Sequence, residues 1–548
     1  MVLSLTFVWE VYVLGRGKVV EWCNNRYRGS LTDDECNLLE ELIKLDECNG
    51  CVSDLRHIIY DLNESAVNTI LEYGFAWDDF KDTVNLERGI GTLEDYQTIG
   101  VAYMYWAKKL LLGDSQGMGK TPTSAGLCNL LKMEYEKQGR SFRYLFLTEK
   151  NPALQIRNKL IQFTGDYVDF LTGEAKSAKE FVERNGDYPK YSVCATHSVI
   201  KQGVFIEWLM GIQQETGSFP FDIIIVDEST VVGGGKTGYA EGIASLLNFV
   251  DRAIFLNATP VETHALTMFN QLNLLDTSLL PTKTAWSKEF EIMDYRGMFP
   301  RPTGKYKNPE EFKRRCAYRY FARTRKAKGA IMEDCVGLKL LSDLSPIQKY
   351  WLSRSSIKQL VFDAPNYFDD SIEFCSANVP KLKSLLYLLE NDCENADSII
   401  IFTHYKCTLS SLSGWLTSLG ISNKILNGDV TNIAERQSII DGFKHKQFRI
   451  LLTNVQKGLD FGNCDHCIFY SFDPNPSSMI QAEGRMERSF DIIGKHVYLL
   501  ISRGAELSRL TSTIKDRTEG IVSFTNADYS LITDIILGEE FAWDVQYD

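Results

Sequence analysis

The chain has 548 residues, enough for three or four domains, and its composition of 44% hydrophobic and 24% charged residues is that of a folded protein, which excludes global disorder. Its formal net charge of −13 excludes a uniformly basic nucleic-acid binder and shifts attention to how the charge is distributed. Wholly apolar runs such as Ile223–Val226 and Ile399–Phe402 are strand-sized, and none in the chain is long enough for a membrane span.

The first residues, Met1-Val-Leu-Ser-Leu5, lack a basic n-region and a small-residue cleavage site, so no signal peptide is predicted. Residues 1–25 alternate in polarity around Gly15-Arg-Gly-Lys18 and read as a β-hairpin. Thr32-Asp-Asp-Glu35 then opens a helix as a capping box. These features predict a small α+β N-terminal domain over 1–90. It is acidic overall, but Arg16, Lys18, Arg26 and Arg28 make the hairpin end basic, suited either to nucleic acid or to packing on the next domain. The thirteen cysteines are scattered through the chain, the usage of a reducing compartment. Cys48-Asn-Gly-Cys51, with Cys23 and Cys36 upstream, leaves a four-cysteine zinc site open, although structural zinc sites usually show two close pairs. Cys464 and Cys467 read as buried strand-edge thiols instead.

From about residue 91 the style changes. Apolar strand-like runs (Phe142–Leu147, Tyr191–Ala195, Ile223–Val226, Ala253–Leu256) alternate with helical stretches, the pattern of a parallel sheet covered on both faces. The rhythm breaks after about residue 280 and resumes at Ser398–Phe402, Arg449–Leu452, Cys467–Tyr470 and Val497–Ile501. This gives an α/β domain over 91–280, a basic insert over 281–378, a second α/β domain over 379–505 and a tail over 506–548. Between Arg296 and Lys328 twelve basic residues face two acidic ones, a candidate phosphate-contacting surface against the alternative of a solvated helical face.

The chemistry begins at Gly113-Asp-Ser-Gln-Gly-Met-Gly-Lys-Thr121. A Gly-rich turn between a strand and a helix, here through Gly117 and Gly119, aims backbone N–H groups at phosphate oxygens. Lys120 would reach the outer phosphates and Thr121 would hold Mg²⁺. The strict phosphate-loop pattern has Gly six positions before the Lys, where this chain has Asp114. Asp227 and Glu228 follow the buried strand Ile223–Val226, at the strand end where such sheets bind ligands. Asp227 is placed to hold Mg²⁺ through water and Glu228 to orient or deprotonate the attacking water. Late in the second domain, Gln481-Ala-Glu-Gly-Arg485-Met-Glu-Arg488 sets Arg485 and Arg488 three apart, on one helical face. An arginine from a neighbouring domain can neutralise charge developing on a γ-phosphate.

The order and spacing of these segments resemble a superfamily 2 helicase motor, most closely its SNF2-type branch, over about residues 91–505. Leu93-Glu-Asp-Tyr-Gln97 resembles the adenine-reading Q element. Asp114–Thr121 resembles the family's Asp-Glu-Met-Gly-Leu-Gly-Lys-Thr. Val226-Asp-Glu-Ser-Thr230 stands for Asp-Glu-Ala-His, and Leu256-Asn-Ala-Thr-Pro260 for Leu-Thr-Gly-Thr-Pro, the element linking ATP state to nucleic-acid grip. Cys194-Ala-Thr-His197 is similar to a strand end that contacts one nucleic-acid strand, Ile401–His404 to motif IV, and Leu452–Asp460 to motif V. Departures fall on the coupling path: Thr230 for the motif II His, and Asn257-Ala258 for Thr-Gly in motif III.

The resemblance implies two RecA-like domains closing on ATP and Mg²⁺, with Gln97, Gly458 and Asp460 near the nucleotide. It implies nucleic-acid contacts at Thr196, Thr453, Arg323, Arg325 and Lys326. It implies an ATPase that translocates on duplex or branched DNA as a monomer, away from membranes, in the cytoplasm of a bacterial or phage-infected cell. The compact layout is similar to phage or bacterial motors of fork remodelling and branch migration. The alternatives are an RNA-dependent ATPase and an ATP-gated binding module that does not translocate.

Overall fold

The computed structural model describes most of residues 93–342 and 380–544; residues 1–92 and 343–379, with shorter stretches including 324–335, 455–460 and 487–493, lie outside the described set. The expected N-terminal hairpin and the Cys23/Cys36/Cys48/Cys51 group therefore lie outside it, and among the described residues no metal-ligating cluster occurs.

The first body is a sheet flanked by helices. Its strands are β1 (Lys109–Leu112), β2 (Tyr144–Thr148), β3 (Val168–Leu171), β4 (Ser192–Thr196), β5 (Ile223–Asp227) and β6 (Arg252–Leu256). Beyond them lie an antiparallel pair, β7 (Glu291–Asp294) with β8 (Arg301–Tyr306), and a short strand β9 (Tyr320–Phe321). The large sheet runs β3-β4-β2-β5-β6-β1-β9, all parallel. Central strands such as Ile223–Val226 are buried on both faces, which is why they read as continuous apolar runs rather than as alternation. Helix α1 (Asp95–Ala107) and helix α2 (Lys120–Lys137) pack together, with α3 (Ala153–Thr164) against α2. Helix α4 (Leu266–Leu275) contributes Met268, Phe269 and Leu272 to the core of the other face.

The second body repeats the plan with β10 (Val336–Ser342), β11 (Ile399–Phe402), β12 (Asn423–Leu426), β13 (Ile450–Thr453), β14 (His466–Phe469), β15 (His496–Ser502) and β16 (Trp543–Asp544). Their order is β12-β13-β11-β14-β15-β10-β16. Helix α5 (Pro476–Glu483) starts on Asn475, whose side chain accepts from Ser477 N, with Pro476 at the first helical position. These are the two parallel-sheet, RecA-like domains expected from the sequence.

Three boundaries differ from the expectation. The first domain does not end near 280: β9 pairs in register with β1, and Trp286, Phe290, Phe312 and Cys316 are buried in its core. The basic stretch is thus threaded with core residues, which a charge count overlooks. The second domain begins with β10, paired to β15 over seven positions. Nor is 506–548 a mere tail. Helix α6 (Lys515–Thr525) sets Ile521 into the first domain's core, and helix α7 (Leu531–Leu537) packs on β10.

Candidate active site

The buried run Leu110–Leu112 carries β1 into the loop at Gly113, which stays extended: Gly113 N donates to Phe321 O (2.7 Å) and Ser115 N to Arg323 O (3.0 Å). Gly117 and Gly119 then take φ of +76° and +78°, the left-handed region that glycine enters without strain. A Cβ at Gly119 would lie 2.2 Å from Gln97 Nε2. The loop is braced from α1: Tyr96 OH and Gln97 Nε2 both donate to Met118 O, at 3.0 and 3.1 Å. Gln97 Oε1 meanwhile accepts from Glu94 N (3.0 Å). With both amide ends engaged by the chain's own backbone, Gln97 holds the loop and does not line the cleft.

Asp114, the departure from the strict motif, is fully buried against Arg323. Its Oδ1 accepts from Arg323 N and Nε, both at 3.0 Å, and its Oδ2 accepts from Nη2. The guanidinium lies over the Tyr96 and Phe321 rings. This corrects the expectation that Arg323 faces nucleic acid: it is the buried countercharge of the phosphate loop. Lys120 Nζ donates to Asp114 O (2.7 Å) and Ser115 O (3.3 Å). Burial lowers the Lys120 pKa, opposed by the nearby charges of Glu228, Asp114 and Asp227. Thr121, one residue on, is half-buried in the first turn of α2.

Asp227 ends β5 beside the end of β2, where Thr148 Oγ1 donates to its Oδ2 at 3.0 Å. Its main-chain carbonyl lies 2.7 Å from His197 Nε2, so that nitrogen carries the ring proton. Burial, then the Glu228 charge, raise the Asp227 pKa. Glu228 adopts φ 48°, ψ 54°, a left-handed conformation that costs a non-glycine residue of order 1–3 kcal/mol. Its Oε2 is buried with no hydrogen-bond partner among the described residues.

The second domain closes the site through α5. Ser477 Oγ donates to Val261 O (2.6 Å) and Gln481 Nε2 to Thr259 Oγ1 (2.7 Å). These contacts bring Arg485 Nη2 to 3.9 Å from Glu228 Oε1. Gly484 comes so close to the phosphate loop that a Cβ there would lie 2.0 Å from Gln116 Oε1. The resulting cleft, of about 320 Å³, is lined by Gln116, Gly119, Lys120, Asp227, Glu228 and Arg485 among others.

A nucleotide with its Mg²⁺ fits what this cleft presents. The left-handed glycines form a nest for anions, Lys120 supplies a cation, and two carboxylates share burial with one orphaned oxygen. The Thr121 hydroxyl and the Asp227 carboxylate are the groups that would hold the metal, whose contribution is to neutralise phosphate charge.

Other expected residues fall elsewhere. Arg488, Gly458, Asp460, Arg325 and Lys326 lie outside the described residues. Thr196 and Thr453 are buried, Thr196 Oγ1 accepting from Gly173 N (2.7 Å) and Thr453 Oγ1 donating to Leu426 O (2.7 Å). Neither hydroxyl is presented to solvent here. Sequence reasoning missed Thr148 and Ser477. Thr148 was findable, as a polar residue ending an apolar strand run; Ser477 is an ordinary helix-start serine until the domains meet.

A phosphate loop and acidic pair in one parallel-sheet domain, faced by an arginine from a second, define an ATP-hydrolysing helicase-type motor. Comparisons agree. The model for the type III restriction enzyme res subunit matches residues 89–262, and that for the helicase conserved C-terminal domain matches 380–489. The chain is 22% identical over 426 residues to an uncharacterized ATP-dependent helicase, YqhH, of Bacillus subtilis, covering 72% of each protein. It is 21% identical over 336 residues to the SWI/SNF-related matrix-associated actin-dependent regulator of chromatin subfamily A-like protein 1 of Bos taurus (58% of this chain, 35% of that protein). It is 30% identical over 134 residues to the DNA repair and recombination protein RAD54B of Homo sapiens (24% and 14%). The chain thus spans about a third or less of the length of these last two relatives. A Sulfolobus solfataricus SWI2/SNF2 ATPase core in complex with dsDNA matches with 18% identity and a TM-score of 0.39, covering 76% of this chain and 90% of that one. The chain is a superfamily 2 helicase of the SNF2-like branch.

Proposed function

We propose that the protein hydrolyses ATP with Mg²⁺ in the cleft between its two sheets and uses the cycle to move on duplex or branched DNA. The observation that carries this reading is Arg485 of the second domain facing Glu228 across the cleft that also holds Lys120. Lys120 and the loop amides bind the outer phosphates. Asp227 and Thr121 hold the metal. Glu228 orients the attacking water, and Arg485, with Arg488, neutralises the charge that develops as the γ-phosphate leaves. Because Arg485 reaches the site only when α5 docks on residues 259–261, hydrolysis requires closure, and closure and reopening shift one domain against the other. A motor of this kind tracks phosphates rather than bases.

DNA as partner is supported by the DNA repair, recombination and chromatin proteins among the relatives. The finer role we assign is fork remodelling or branch migration, performed by a monomer in the cytoplasm of a bacterial or phage-infected cell. Among the described residues no helix is long and apolar enough to cross a membrane. ATPase activity with single-stranded, duplex and forked DNA tests the role: forked or duplex DNA should stimulate most. Equal stimulation by all three would overturn the branched-DNA assignment, and stronger stimulation by RNA would replace DNA as the substrate.

A further inference from the structure

The Ser229 hydroxyl, immediately after the acidic pair, is fully buried and donates to Gln271 Oε1 at 2.6 Å. Gln271, also fully buried, is on α4, outside every motif that carries the family resemblance. Its Nε2 donates to Pro260 O (2.8 Å) and to Thr267 O (3.0 Å). Pro260 lies between Thr259 and Val261, the two residues that α5 of the second domain grips through Gln481 and Ser477. One buried amide therefore joins the turn holding Glu228 to the segment on which the second domain docks. A buried amide with each end in a hydrogen bond has little freedom to shift without leaving a polar group unsatisfied, so movement at one end is opposed at the other.

The chain lacks the histidine of motif II, having Thr230 there, and the Thr-Gly of motif III, having Asn257-Ala258. We propose that Gln271 is a positioning residue for ATP hydrolysis, coupling the docking of the second domain on residues 259–261 to the orientation of Glu228 through Ser229. This rests on the ATPase reading above. Docking pulls on Thr259 and Val261, Gln271 passes the displacement from the Pro260 carbonyl to the Ser229 hydroxyl, and Ser229 fixes the strained left-handed backbone of Glu228. Gln271 is not among the residues lining the cleft and acts through its neighbours.

The test compares Gln271→Leu, Ser229→Ala and Ser477→Ala with Asn270→Ala in the full chain. Asn270 is a matched control: it neighbours Gln271 on the same helix and donates to Gly233 O (2.6 Å), off the path to Pro260. DNA-stimulated kcat should fall at least tenfold in Gln271→Leu and Ser229→Ala, with KM for ATP within twofold of the wild type. Ser477→Ala, which removes a docking contact that also places Arg485, should lower kcat as well, again with KM within twofold. Asn270→Ala should change kcat less than twofold. The proposal is overturned if folded Gln271→Leu, checked by thermal melting, keeps kcat within twofold. It is equally overturned if Asn270→Ala loses as much, or if the loss appears in KM. Should Gln271→Leu not fold, Ser229→Ala with its kcat and KM decides alone. Failure of the ATPase reading shows separately, as Lys120→Ala retaining wild-type hydrolysis.

Discussion

Replacing Asp114 by glycine restores the strict phosphate-loop pattern, and reading by motif alone would expect tighter nucleotide binding. The structure gives the opposite outcome. Asp114 is wholly buried and supplies the acceptors for three Arg323 donors, while the Arg323 side chain is only 4% exposed. Removing the carboxylate leaves a guanidinium buried without that partner, a loss of about 3–5 kcal/mol. For a domain of this size each kcal/mol moves the melting temperature by about 2–4 °C, so the first domain should melt about 6–20 °C lower. The loop itself should loosen, since Arg323 O also receives Ser115 N. Differential scanning calorimetry reads the shift and ATPase assays at rising temperature follow its consequence. The double variant Asp114→Ala/Arg323→Met, with no buried charge left, should recover most of the loss. Asp114→Gly melting at the wild-type temperature, or hydrolysing ATP faster than the wild type, would refute the reasoning.

Lys120→Ala should reduce ATP hydrolysis to background while leaving melting nearly unchanged, because among the described residues Nζ bonds loop carbonyls and no side chain; a phosphate-release assay beside a melting curve checks both. Arg485→Ala should lower kcat by about 10³-fold or more with little change in KM for ATP, as expected of an arginine acting on the leaving phosphate; pre-steady-state kinetics separates the two. Burial, and then the neighbouring His496, push the His466 ring pKa down to about 4. The folded protein therefore disfavours the protonated ring that the unfolded chain accepts below about pH 6.5. Stability is lost as pH falls from about 6.5 towards 4, so the wild type should lose more melting temperature between pH 7 and 5 than His466→Gln does. Equal losses in both proteins would contradict this.

Much of the site was legible in the sequence because its parts are local. A buried strand must be an apolar run, a phosphate loop must place glycines where φ is positive, and ligand-binding carboxylates follow strand ends. Lys120, Asp227 and Glu228 could be named from such short windows, and the Gln481–Arg488 segment from its spacing. What short windows hide is any property that depends on two distant segments meeting. Asp114 looks like a defect in its own motif until Arg323, 209 residues away, neutralises it. Arg323 in turn sits in a stretch whose net charge suggests a surface, although Phe312 and Cys316 in that stretch are core residues. The first domain's extent depended on β9 pairing with β1, and a two-residue strand carries no periodicity to read. Gln271 has no signature at all, since a glutamine on a helix is ordinarily solvated. The candidate chemistry can be read from the chain alone, because residue types and local turns carry it. The tertiary structure decided which charges are buried, where the domains end and how the second domain grips the first, because burial and long-range pairing exist only once the chain has folded.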